Sequence, residues 1–241
     1  MNVGCVLMAS GASRRFGGMK NKLLEDIGGR AVFLRTADAL AAAGLDPLIV
    51  TRSREVCDAA ENYSCLFHED PEKSATVRRG LGSLTDRHET AGTALAGCLF
   101  IPGDQPLIRP ESIRRMLEAF ENDPEAVIRL GLDKRGGSPV IFPSMMFPSL
   151  MKLTGEQGGS VLLSSSPVDA GRAAYGNKRP CGFKGADAPA PFGGRIVVIE
   201  AESESELMDA DTPGELEELR RRFAEEAPYR KIIRGEASSS R

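Results

Sequence analysis

Four cations, Arg14, Arg15, Lys20 and Lys22, surround Gly17 and Gly18 in the stretch CVLMASGASRRFGGMKNKLL at residues 5–24. Backbone N–H groups of a glycine-rich loop can approach phosphate oxygens, and lysine and arginine neutralise the charge. These residue types at this density point to a phosphate cradle. Two common cradles are excluded by spacing, because the loop has neither G-x-x-x-x-G-K-[ST] nor G-x-G-x-x-G. The other chemical group is acidic. Asp104 stands in the turn Pro102-Gly103-Asp104-Gln105-Pro106, and Asp209 and Asp211 stand in LMDADTPGEL at residues 207–216. An acidic residue at the carboxyl end of a central strand, the place expected for Asp104, sits where a ligand of an α/β sheet would be.

Such groups must be positioned by regular elements. The apolar run Cys5-Val6-Leu7-Met8 ends in small residues and reads as a buried strand, and residues 31–44 read as a helix. A turn at 45–47, a strand at 48–51, a short helix at 55–62 and a strand at 64–68 follow. The segment KSATVRRGL at 73–81 is helix-like, and the polar residues 83–93 read as a loop. Residues 94–101 give the strongest strand pattern and run directly into the Asp104 turn.

Residues 110–122 form an amphipathic helix with Ile113, Met116, Leu117 and Phe120 on its core face. Strands are expected at 126–132 and 140–142, a helix at 145–153 and a late strand at 195–199. Residues 180–194 have no periodicity and read as a loop. Thr212, Pro213 and Glu215 make a capping box for a helix reaching about residue 226, and 227–241 read as a frayed polar tail. Strands alternating with helices imply an α/β fold with a mostly parallel sheet covered on both faces. Ligands in such sheets bind beyond the carboxyl ends of the strands, where the basic loop is expected.

Composition narrows the classes. A 241-residue chain with 41% hydrophobic and 27% charged residues suits one domain with a sizeable core, expected over 1–226. The net charge of −3 argues against general nucleic-acid binding. Five cysteines without C-x-x-C spacing imply no disulfide framework, and His68 and His88 are expected at the surface. The amino-terminal run is interrupted by Gly4 and Ser10, and no apolar run approaches eighteen residues, so a soluble, cytoplasmic protein is expected.

The pattern Met8-Ala9-Ser10-Gly11-x-Ser13-x-Arg15-x-Gly17, with Lys22-Leu23-Leu24 following, resembles the L-A-A-G-x-S-x-R-x-G…K signature of nucleotidyltransferases that activate phosphorylated acceptors. The likeness is greatest to the molybdenum cofactor cytidylyltransferases. Further stations occur in the family's order at 74–81, 102–106, 137–142 and 209–216.

The resemblance implies a three-layer Rossmann-like fold and transfer of CMP from CTP to the phosphate of molybdopterin, with Mg²⁺ and release of pyrophosphate. It implies that Arg15 and Lys22 meet the triphosphate, with Lys20 the rival of Lys22. Ala9, Ser10, Gly11, Ser13 and Gly17 would cradle the nucleotide, with Gly103 in the Asp104 turn. Ser74, Thr76 and Gly80 would lie beside the base, and Gly137 and Pro139 near the acceptor. Asp104 would bind the metal with Asp209 or Asp211. It also implies transient contact with a molybdenum hydroxylase.

One station departs from the family. Glu156 replaces an Asp, and Ser160 replaces an Arg that would suit an anionic acceptor. Alternatives are GTP with the same pterin, a sugar or isoprenoid phosphate as acceptor, or a non-catalytic cofactor chaperone.

Overall fold

The computed structural model describes residues 1–11, 21–133, 135–163 and 193–233, the side chains of 227–233 excepted. Seven strands form one sheet: β1 (Val3–Met8), β2 (Pro47–Thr51), β3 (Cys65–Phe67), β4 (Gly97–Pro102), β5 (Val127–Leu132), β6 (Arg135–Pro143) and β7 (Ile196–Glu200). Their spatial order is β3-β2-β1-β4-β6-β5-β7. β1 pairs in parallel with both β2 and β4, β2 with β3, and β5 with β7, while β6 runs antiparallel to β4 and β5. The sheet is therefore mostly parallel, as the alternation of strands and helices predicts. The chain moves one way from β1 to β2 and β3, then returns to place β4 on the other side of β1. The β1/β4 boundary is thus the switch point at which α/β sheets open a crevice.

Side chains alternate between two cores. Cys5, Leu7, Ile49, Leu99 and Ile101 face one way, towards α1 (Val32–Ala42), α4 (Pro110–Asn122) and α6 (Pro213–Ile233), with Phe33, Met116, Phe120 and Leu219 among them. Val6, Leu48, Val50, Cys98 and Phe100 face the other way, towards α3 (Lys73–Thr90) and α5 (Phe147–Leu150). Burying both faces explains why β1 and β2 read as continuous apolar runs. The capping box is formed: the Glu215 N–H donates to Thr212 Oγ1 at 3.2 Å, and that hydroxyl donates to the Glu215 carboxylate at 2.9 Å. Among the described residues no helix is long and apolar enough to cross a membrane.

Several expectations are corrected. Residues 83–90 belong to α3 rather than to a loop. Leu81 and Leu84 continue the buried stripe from Val77, while Asp86, Arg87 and Glu89 face solvent, so the segment is polar without being irregular. The expected helix at 145–153 is a 3-10 turn, Ser144–Met146, followed by the single turn of α5. α6 continues past residue 226 to Ile233. Cys57 and Cys65 are joined in a disulfide that ties α2 (Arg54–Asp58) to the edge strand β3. Their pairing follows from α2 and β3 packing side by side against β2, not from a sequence motif. Of the expected loop at 180–194, residues 180–192 lie outside the described residues.

Candidate functional site

The carboxyl end of β1 is held firmly. The Ala9 N–H donates to the Val50 carbonyl at 2.8 Å, and Thr51 Oγ1 donates to the Ala9 carbonyl at 2.8 Å. The Ser10 hydroxyl reaches the Val50 carbonyl at 3.3 Å, and Arg52 donates to the Ser10 carbonyl at 3.1 Å. Gly11 follows, and a Cβ built there would meet nothing within 4 Å, so packing does not demand glycine at this point. Glycine instead leaves the backbone open to a ligand. Ala9, Ser10 and Gly11 line a cavity of about 390 Å³ with Arg52, Ser53, Phe67 and Glu69. The Arg54 guanidinium stacks on the Phe67 ring beside it, 4.1 Å from the centroid. Ser13, Arg15, Gly17 and Lys20 lie outside the described residues.

Lys22 opens a 3-10 turn, Lys22–Leu24, in which Asn21 caps the Leu23 N–H at 3.2 Å and Leu23 is buried. That anchor places the lysine side chain in the crevice, with the residue only 7% exposed. Its ammonium contacts Asp104 and lies 2.6 Å from Asp211. Burial works against the Lys22 charge, but Asp104 and Asp211 outweigh it and hold the pKa above the ordinary lysine value.

Asp104 follows Gly103, whose N–H donates to the Met8 carbonyl at 2.9 Å, so the acidic turn is stitched to the end of β1. The Asp104 carbonyl accepts from the Ala210 N–H at 3.0 Å, which brings the late acidic segment to the same place. Asp209 is pushed up to about 6, first by burial and then by the neighbouring Asp104, with Asp211 adding to the rise; a hydrogen bond from Gln105 partly offsets it. Gln105 is 3% exposed, and its Oε1 is buried without a hydrogen-bond partner. The donor set of hard carboxylate oxygens around one positive charge fits a divalent cation. Among the described residues no three His, Cys, Asp or Glu side chains form a cage able to hold a metal alone. Protein and phosphate ligands would have to share such an ion.

The remaining candidates are spread around this centre. Thr76 lies beside His68, its Oγ1 3.3 Å from His68 Nε2. Ser74 is taken up within the start of α3, bonding Glu72 at 3.1 Å and Arg78 at 3.0 Å. Gly80 is a packing residue: a Cβ there would come within 2.8 Å of Val6 and 3.0 Å of Val50, so its absence lets α3 sit close on the sheet. Gly137 and Pro139 lie on β6 at the end of the sheet that carries the Asp104 turn, since Val140 pairs with Phe100.

Sequence reading assigns no role to three residues here. His68, expected at the surface, is 5% exposed and 3.2 Å from the Ser10 hydroxyl. Arg52 carries no motif, and Gln105 reads only as part of the Asp104 turn. The available signal for His68 and Arg52 was their position just past strands parallel to β1, which puts them at the same end of the sheet.

The model of the MobA-like NTP transferase domain matches residues 5–170. The chain belongs to this family. The matched span includes the MobA-like loop, Lys22 and Asp104 and stops before Asp209 and Asp211. Over 145 residues, 54% of this chain and 28% of the relative, it is 30% identical to the bifunctional protein GlmU of Corynebacterium aurimucosum. Over 134 residues, 52% of this chain and 57% of the relative, it is 30% identical to the 2-C-methyl-D-erythritol 4-phosphate cytidylyltransferase of Cereibacter sphaeroides. The matches thus span from about a quarter to somewhat over half of these relatives' lengths. The MobA-like fold is shared with Rv0371c of Mycobacterium tuberculosis, at a TM-score of 0.64 and 23% identity over 92% of this chain and 99% of that one. A second structure of that protein is a complex with manganese, at a TM-score of 0.61 and 22% identity.

Proposed function

We propose that this MobA-like chain is a Mg²⁺-dependent nucleotidyltransferase that moves CMP from CTP to the phosphate of molybdopterin and releases pyrophosphate. The observation that carries the reading is the meeting of Lys22 with Asp104 and Asp211 at the β1/β4 switch point, beside the loop after β1. Family membership supports nucleotidyl transfer, and the cytidylyltransferase relative supports CTP.

The acceptor phosphate oxygen attacks the α-phosphorus; the bond from that phosphorus to the bridging oxygen breaks, and its electron pair leaves with pyrophosphate. A phosphate nucleophile is already ionised near neutral pH, so the residues have positioning and charge to supply rather than proton abstraction. Lys22, with Arg15 from the loop, neutralises the triphosphate, and Lys20 is the rival for the Lys22 role. Backbone amides between Gly11 and Gly17 hold phosphate oxygens. Asp104 and Asp211 would hold the divalent ion, because their oxygens already converge on one positive charge, and Asp209 stands behind them against Gln105. When bound, the ion would supply charge neutralisation across the phosphates. Thr76 and the cavity walled by Phe67 are assigned to the base side, and Gly137 and Pro139 to the acceptor side.

A second reading has an observation of its own. Ser160 stands where the pterin-specific pattern has an arginine, and the Cereibacter relative is named for a methylerythritol phosphate. Cytidylyl transfer to a sugar or isoprenoid phosphate follows from it.

Pyrophosphate release, measured with CTP, GTP and ATP against each acceptor in the presence of Mg²⁺, tests both readings. CTP- and molybdopterin-dependent release is the expected result. Release only with a sugar or isoprenoid phosphate favours the second reading, and no release with any pair would end both.

A further inference from the structure

His68 follows β3 and is buried, with the residue 5% exposed. Its Nε2 lies 3.2 Å from Ser10 Oγ and 3.3 Å from Thr76 Oγ1. One ring nitrogen therefore stands against both the loop that leaves β1 and the opening turns of α3. A leucine would fill this volume, but it would not join Ser10 to Thr76. The charged groups acting on the ring are Arg52, Asp70 and Arg79; burial, Arg52 and Arg79 favour the neutral imidazole, and Asp70 opposes them. Arg52 also clasps Ser10 through the carbonyl and reaches the Pro71 carbonyl at 3.2 Å, so Ser10, just past β1, is gripped from the ends of β2 and β3 together.

We propose that His68 is a positioning residue, which locks the Ser10 end of the loop after β1 onto α3 and so presets the nucleotide-facing edge at Gly11. This rests on reading the crevice as a nucleoside triphosphate site. Chemistry at Lys22 and Asp104 lies on the far side of β1 from His68, so the effect belongs in nucleotide affinity rather than in turnover.

The experiment compares His68→Leu with His68→Gln, whose amide nitrogen reaches the place of Nε2. Amide hydrogen exchange over residues 9–11 is followed without ligand, and kcat and KM are measured with Mg-CTP. His68→Leu should exchange about tenfold faster at 9–11 and show a KM about tenfold higher with kcat within about threefold, the size of one hydrogen bond. His68→Gln should return both to within about threefold of the parent. Unchanged exchange in folded His68→Leu overturns the proposal, as does equal impairment of the two variants. Should the parent turn over no nucleotide, the functional reading fails, and the exchange result by itself decides the role of His68.

Discussion

Lys22 stands between two carboxylates from distant later parts of the chain: Asp104, 82 residues on, and Asp211, 189 residues on at 2.6 Å. A lysine held this way is ordered before any anion arrives. In a low-dielectric crevice a preset charge stabilises developing charge without reorganising.

Removing either partner should therefore show in the rate. Lys22→Ala and Asp104→Ala are each expected to lower kcat at least about a hundredfold, the size of one lost electrostatic contact. Steady-state turnover of variants with native circular dichroism is the measurement, and near-parent rates in both would sink the assignment.

The two late aspartates should differ. Asp211 touches Lys22, whereas Asp209 is buried against Gln105. Asp211→Asn is expected to raise the Mg²⁺ concentration for half-maximal activity about tenfold or more, because one of the two carboxylates proposed to hold the ion is lost. Asp209→Asn keeps its hydrogen bond to Gln105 and should shift it less. Titration of activity with Mg²⁺ separates the cases, and the opposite ranking would move the metal role to Asp209.

His68 should impose a pH dependence on stability. Burial first, and then Arg52, lowers its pKa below the ordinary histidine value of 6.5. Between that lowered value and 6.5 the unfolded chain binds a proton that the folded chain refuses. The stability it contributes at higher pH is therefore lost as pH falls through 6.5. Urea unfolding at about pH 5.5 and about pH 7.5 should show a larger drop for the parent than for His68→Gln. Parallel curves would show that His68 does not titrate differently on unfolding.

The bond between Cys57 and Cys65 closes a short loop, with a sequence separation of 8. Closing such a loop restricts the unfolded chain by about 2.5 kcal/mol. Reduction, or Cys57→Ser with Cys65→Ser, should lower the unfolding free energy by about 2 kcal/mol. Equal urea midpoints for oxidised and reduced protein would count against a structural bond.

Much of this architecture was legible in the chain alone, wherever the determining contacts are local or periodic. Apolar runs bounded by small residues marked β1, β2 and β4, and helical spacing of Ile113, Met116 and Phe120 marked α4 at its observed bounds. Thr212, Pro213 and Glu215 announced the start of α6. The basic loop after one strand already suggested a phosphate cradle and the carboxylate after another a place at the ligand, because residue chemistry and strand ends can be read without knowing which strands are neighbours; the metal came from the family resemblance.

Only the tertiary structure decided which groups meet. The order β2-β1-β4 sets the Asp104 turn beside the end of β1, and the Ala210 N–H on the Asp104 carbonyl carries Asp211 to Lys22. The same packing buries His68, brings Cys57 to Cys65 and makes Gly80 a point of helix–sheet contact. Apart from the short Cys57–Cys65 loop, such contacts join residues far apart in sequence, and all follow from strand order and face-to-face burial, which no local pattern of side chains encodes.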